Sequence, residues 1–168
     1  MRTHTVNKSV IVLASTLLIV VAGLFIFMSP QPSDAATRMV VYQDPNCGCC
    51  SQWIDHVRAA GIEVEIRKTN EMAKVKLQNG ISRNLQSCHT GVIDGYIVEG
   101  HVPAEDVLRM LDERPEIKGL SVPGMPIGSP GMEQGDPADY QAFDVVAFDG
   151  RGQMTRYRYV EGGANSQP

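Results

Sequence analysis

Asn46-Cys47-Gly48-Cys49-Cys50 puts three of the chain's four cysteines within four residues, and the flanks of this stretch decide how it is read. On one side runs the apolar Met39-Val-Val-Tyr42, followed by the turn formers Asp44-Pro45-Asn46. On the other, Ser51-Gln-Trp-Ile-Asp-His-Val-Arg-Ala-Ala60 sets Trp53, Ile54 and Val57 on one helical face before Gly61 closes it. A strand therefore stops and a helix starts at the cysteines. Unpaired backbone N–H groups and the positive end of the helix dipole stabilise thiolate there, so these sulfurs are better nucleophiles and better metal ligands than free cysteine.

Toward the N-terminus, Arg2 and Lys8 precede an apolar run from Val10 to Met28, broken only by Ser15, Thr16 and Gly23, and then Ser29-Pro-Gln-Pro-Ser-Asp-Ala-Ala36. Residues 1–36 read as an export signal with small residues, Ser33 and Ala35, at the positions a cleavage site needs; residues 10–28 are also long enough to remain as a transmembrane anchor. Either way residues 37–161 are expected outside the cytoplasm as one domain, with 162–168 a polar tail. Without residues 1–35 the 15 basic residues lose Arg2 and Lys8 and the 19 acidic ones lose Asp34, leaving 13 against 18. That balance argues against a nucleic-acid partner, which requires a basic face. Four cysteines in an exported chain usually mean two disulfides. Three clustered sulfurs and one distant one, Cys88, look instead like a site.

Beyond the first helix, Ile62, Val64 and Ile66 alternate with Glu63, Glu65 and Arg67 as a half-buried strand. Asn70 is expected to cap a helix over 71–78 that ends at Asn79-Gly80. Residues 81–87 carry no clear period. Gly91–Glu99 holds two short apolar runs around Asp94-Gly95, a hairpin signal. Pro103–Leu111 reads as a helix with Pro at its start and Val107, Leu108 and Leu111 on one face. Val122–Met132 contains three prolines, three glycines and two methionines, so it is neither a regular helix nor a central strand. Phe143–Phe148, the turn Asp149-Gly-Arg-Gly152 and Gln153–Val160 make a second hairpin.

The order β-α-β-α-β-β-α, with an added C-terminal β-hairpin and a C-x-x-C (Cys47–Cys50) at the first strand-to-helix junction, resembles the thioredoxin-like α/β fold. Proteins of that fold carry a cis-proline before the third strand. Here Ser87-Cys88-His89-Thr90 occupies that place, so Cys88 is expected to replace the proline and face Cys47 and Cys50.

Taken together, Asp44-Pro-Asn-Cys-Gly-Cys-Cys50, Cys88-His-Thr-Gly91, Val98-Glu-Gly-His-Val-Pro103 and Val122-Pro-Gly-Met-Pro-Ile-Gly-Ser-Pro-Gly-Met-Glu133 resemble the CopG family of exported copper-resistance proteins. The resemblance covers most of residues 38–160. It implies a thioredoxin-like domain in the bacterial periplasm whose cysteines bind copper as a multi-copper thiolate cluster. Cysteine thiolates and methionine thioethers select Cu(I), and adjacent Cys49 and Cys50 suit several bridged ions better than one zinc tetrahedron. The expected ligands are Cys47, Cys49, Cys50 and Cys88, joined by Met125, Met132 and His89. Met125 and Met132 can equally form a lid, and His89 can equally orient a ligand. His101 is divided between ligand and ordinary loop residue. His56 reads as solvated or capping, and Trp53 as core. The resulting expectation is Cu(I) sequestration for copper resistance, with Cu(I)/Cu(II) cycling open to the cluster. The alternatives are a thiol–disulfide oxidoreductase using Cys47 and Cys50, or a chaperone passing copper to other periplasmic copper-handling proteins.

Overall fold

The computed structural model describes residues 38–163; the stretch expected to be an export signal or anchor and the chain beyond Gly163 lie outside them. The strand leading to the cysteines, β1 (Arg38–Gln43), turns Met39, Val41 and Gln43 inward. It pairs in parallel with β2 (Glu63–Lys68) and antiparallel with β3 (His89–Ile93). Between these strands come helices α1 (Gly48–Ala59) and α2 (Met72–Gln78). The chain continues through β4 (Tyr96–Gly100), α3 (Ala104–Glu113), β5 (Gly119–Val122), β6 (Phe143–Phe148) and β7 (Met154–Val160). The result is a mixed α/β fold with one seven-stranded sheet in the order β2-β1-β3-β4-β5-β6-β7 and, among the described residues, three α-helices.

The hairpin between β3 and β4 turns at Asp94 (φ 48°) and Gly95 (φ 86°), both in the positive-φ region that a two-residue type I′ turn demands. Trp53, Ile54 and Val57 of α1 pack with Met39, Val41, Ile93, Val98, Val107, Met110 and Leu120 in the main core. Ile81, Leu85, Ile97 and Phe148 form a smaller cluster. Successive strand residues point to opposite faces. His89, stacked on Trp53, therefore lies on the α1 face, and Thr90 on the other, where Lys76 of α2 meets it.

Four local readings change. Strand β5, parallel to β4 and antiparallel to β6, joins the C-terminal hairpin to the same sheet instead of leaving it appended. Its four residues are too few to show a period, and all four are buried. On α3 the buried stripe is Ala104, Val107 and Met110, while Leu108, about 100° around the helix from Val107, is exposed. Helix α2 begins at Met72, and its entry is held by the Thr69 hydroxyl, which accepts from the Glu71 N–H at 3.0 Å, in place of Asn70. In β2, burial declines from Ile62 to Ile66, which is 39% exposed at the sheet edge.

Candidate metal centre

The turn after β1 is built by Asp44, whose side chain accepts from the Asn46 N–H and whose carbonyl accepts from the Cys47 N–H. Cys47 then becomes the extended N-cap of α1, with no side-chain cap bond of its own. Cys49 and Cys50 fall in the first helical turn, which explains why a C-x-C-C gathers its sulfurs. Cys47 and Cys50, three residues apart, are joined by a disulfide, while Cys49 and Cys88 are free thiols.

Cys88 arrives from the register of the sheet. Gln43 at the end of β1 is opposite His89 at the start of β3, so the residue before His89 reaches the end of the sheet where α1 begins. Cys49 Sγ lies 3.6 Å from Cys47 Sγ and 3.9 Å from Cys88 Sγ. All four sulfurs lie within 4.8 Å of one another. The expected convergence of Cys88 on the first three cysteines is what the fold delivers.

Two histidines join from the other side of Cys88. Its sulfur is 3.0 Å from His101 Nε2 and 3.2 Å from His89 Nδ1, and these three residues form a second group of potential ligands. His101 Nδ1 lies 2.8 Å from the Pro130 carbonyl, which can only accept. Nδ1 therefore carries the proton and Nε2 turns its lone pair toward Cys88. Both imidazoles are fully buried, and burial depresses both pKa values, with His101 and Lys76 lowering His89 further. They are neutral at pH 7, the form that binds metal. The Cys88 thiol is pushed up to about 12, first by burial and then by Cys49 beside it.

The sequence also holds a signal for His101. A two-residue turn at Asp94-Gly95 pairs Ile93 with Tyr96, and counting five residues outward along each strand lands on Cys88 and His101. His56 has the capping role: its Nε2 accepts the Ala104 N–H at 3.0 Å, tying α1 to the first turn of α3. Trp53 is core, with its indole N–H donated to the Val102 carbonyl at 2.8 Å.

The Pro/Gly loop lies against the first turn of α1. Gly131 has φ +80°, and a Cβ there would stand 2.5 Å from the Trp53 nitrogen and 3.0 Å from the Cys49 carbonyl. Together with the Pro130–His101 bond, this brings the Pro130-Gly131 backbone over the centre. Met132 is half-buried, and Met125, at 52% exposure, faces solvent.

A family model described as "Protein of unknown function, DUF411" matches residues 85–132, which include Cys88, both histidines and the loop. No curated protein matches the chain. A solved structure named "Copper resistance protein copG- Form 1" is 46% identical, with a TM-score of 0.70, over 76% of this chain and 99% of that one. A second, "Copper resistance protein copG- Form 2", is also 46% identical, with a TM-score of 0.69, over 73% of this chain and 97% of that one.

Proposed function

Because the chain belongs to the CopG family of copper resistance proteins, we propose that it is a periplasmic copper-resistance protein whose cargo is Cu(I). The ions, several per chain, are held by Cys47, Cys49, Cys50 and Cys88, with His89, Met125 and Met132 as further donors or cover. The observation that carries this reading is the meeting of four sulfurs within 4.8 Å, from two separate parts of the chain. Thiolates select Cu(I), and neutral imidazoles beside them accommodate Cu(II), so a donor set of both kinds suits copper in either oxidation state. Residues 1–36 serve as the export signal or anchor. The domain is thioredoxin-like in this reading, supported by the parallel β1–β2 pair, the antiparallel β1–β3–β4 run and the cysteines at the first strand-to-helix junction. Cys88 stands at the place of that fold's cis-proline, and no peptide bond among the described residues is cis.

The disulfide favours a second, redox role. In the dithiol form, Cys47 and Cys50 can give one electron to each of two Cu(II) ions. The products are two Cu(I), the S–S bond and two protons. Without copper, a partner's thiolate would attack the disulfide, form a mixed disulfide and release the other sulfur. Cys50 is fully buried and Cys47 is not, so Cys47 is the sulfur within reach.

Metal analysis of protein reduced and loaded without oxygen decides between these roles. Several coppers per chain support the cluster. Turnover of a disulfide substrate by metal-free protein, with no copper retained, supports the exchange enzyme.

A further inference from the structure

Behind Cys88, on the sheet face away from α1, a charged pair is buried. Glu99 is fully buried, and Lys76, from α2, is 5% exposed. One Glu99 oxygen accepts from Lys76 Nζ at 2.5 Å and from the Ser87 backbone N–H at 2.7 Å; the other accepts from the Thr90 hydroxyl at 2.6 Å. Lys76 also reaches Thr90 Oγ1 at 3.3 Å. A buried ion pair is weak support for stability, since apolar residues of similar size commonly serve as well. Its neighbours indicate another purpose. The β3–β4 ladder ends at the Thr90–Glu99 pair and the β1–β3 ladder at His89, so the backbone entering at Ser87-Cys88 lies outside both ladders.

We propose that Glu99, held by Lys76, is a positioning residue for Cys88. Its carboxylate grips the segment on both sides of Cys88-His89, at the Ser87 N–H and the Thr90 hydroxyl. The position is passed on to the loop over the centre: the Ser87 hydroxyl donates to the Gly124 carbonyl, and the Gly124 N–H donates to the Gln86 carbonyl at 3.1 Å. The carboxylate thus does for Cys88 what a ladder partner does for a strand residue. The consequence for copper rests on the function proposed above; the effect on the thiol itself does not.

Two charge-free double variants separate this role from a plain ion pair. Lys76→Met with Glu99→Gln keeps an acceptor for the Ser87 N–H, whereas Lys76→Met with Glu99→Leu removes it. The measurement is the iodoacetamide labelling rate of each free thiol in copper-free protein with Cys47–Cys50 closed, read by peptide mapping, alongside thermal unfolding. A lost charge-assisted hydrogen bond should raise Cys88 labelling about tenfold in the Leu variant, and by less than about twofold in the Gln variant. Cys49, held on α1, touches Cys88 but not the Glu99 grip, and its rate should change less than that of Cys88. Cu(I) affinity, by competition with a chromophoric chelator, should fall about tenfold in the Leu variant alone. If the Leu variant does not fold, Thr90→Val, which removes one grip and no charge, takes its place, with a rise of about threefold. Equal Cys88 labelling in the two double variants, or an unchanged rate in Thr90→Val, overturns the inference. If the wild-type chain holds no Cu(I), the proposed function fails, and the labelling contrast still decides the role of Glu99.

Discussion

Cys88 keeps its proton in the copper-free protein because burial first, and then the neighbouring Cys49, oppose a negative charge on its sulfur. A metal cation reverses that balance, since it favours thiolate at both sulfurs. Cys49 stands between Cys47 and Cys88, 3.6 and 3.9 Å away, the place of a bridging ligand. Cys49→Ser is therefore expected to lower the copper-to-protein ratio measured after anaerobic loading. An unchanged ratio would remove the cluster and leave exchange between Cys47 and Cys50. His56 supplies a second test, away from the sulfurs. Its burial holds the imidazole neutral, with a folded-state pKa below the ordinary 6.5. A lowered pKa means that the unfolded chain takes up the proton first, so the stability His56 contributes is present above about pH 6.5 and is lost as pH falls through the lower folded value. His56→Gln retains an acceptor for the Ala104 N–H and should flatten the fall in unfolding free energy between pH 7 and 5. The change should be less than the about 1.4 kcal/mol per pH unit that one whole proton carries, because the group is only partly buried. His89 and His101 are lowered in the same direction, so a slope remains. An identical slope in the variant would show that folding does not lower the His56 pKa.

At the scale of the element, the loop 123–132, which follows β5, has no ladder of its own and is held by what it touches. Its composition made the irregular backbone legible in the sequence. Its seat, through Pro130 and Gly131, was not, because a loop's contacts are made with residues far along the chain. Gly131→Ala is expected to destabilise the domain by about 1–3 kcal/mol, since φ +80° disfavours any side chain and the new Cβ would press on the helix backbone at Trp53. Denaturant unfolding measures this, and a variant as stable as the parent would mean that the loop does not rest there. The paired change Met125→Ala with Met132→Ala should speed air oxidation of bound Cu(I), followed by its absorbance and by chelator capture. Unaltered affinity and oxidation would reduce both methionines to ordinary loop residues. Half-buried Met132 should carry the larger share, since exposed Met125 excludes little water.

Across the whole molecule, the state of one disulfide sets what the centre can hold. With Cys47–Cys50 closed, two thiolates are withheld, and Cys49, Cys88 and the two imidazoles remain. Protein treated with reductant and desalted without oxygen should bind more copper per chain than untreated protein; equal ratios would assign the metal to the remaining donors alone. The sequence by itself determined what depends on near neighbours. It marked the strand-to-helix junction at the cysteines, the α1 face of Trp53, Ile54 and Val57, the Asp94-Gly95 hairpin and the family motifs. Each is a pattern of residues one to four apart, and helix and strand geometry turn such spacing directly into a shared face. Only the tertiary structure decided that β5 welds the C-terminal hairpin into the sheet, and that Lys76 and Glu99 are buried behind Cys88. Lys76 and Glu99 read locally as ordinary charged residues of a helix and a strand. Their role arises because sheet register and helix docking bring residues 76, 87, 90 and 99 to one point, and no local period encodes that meeting.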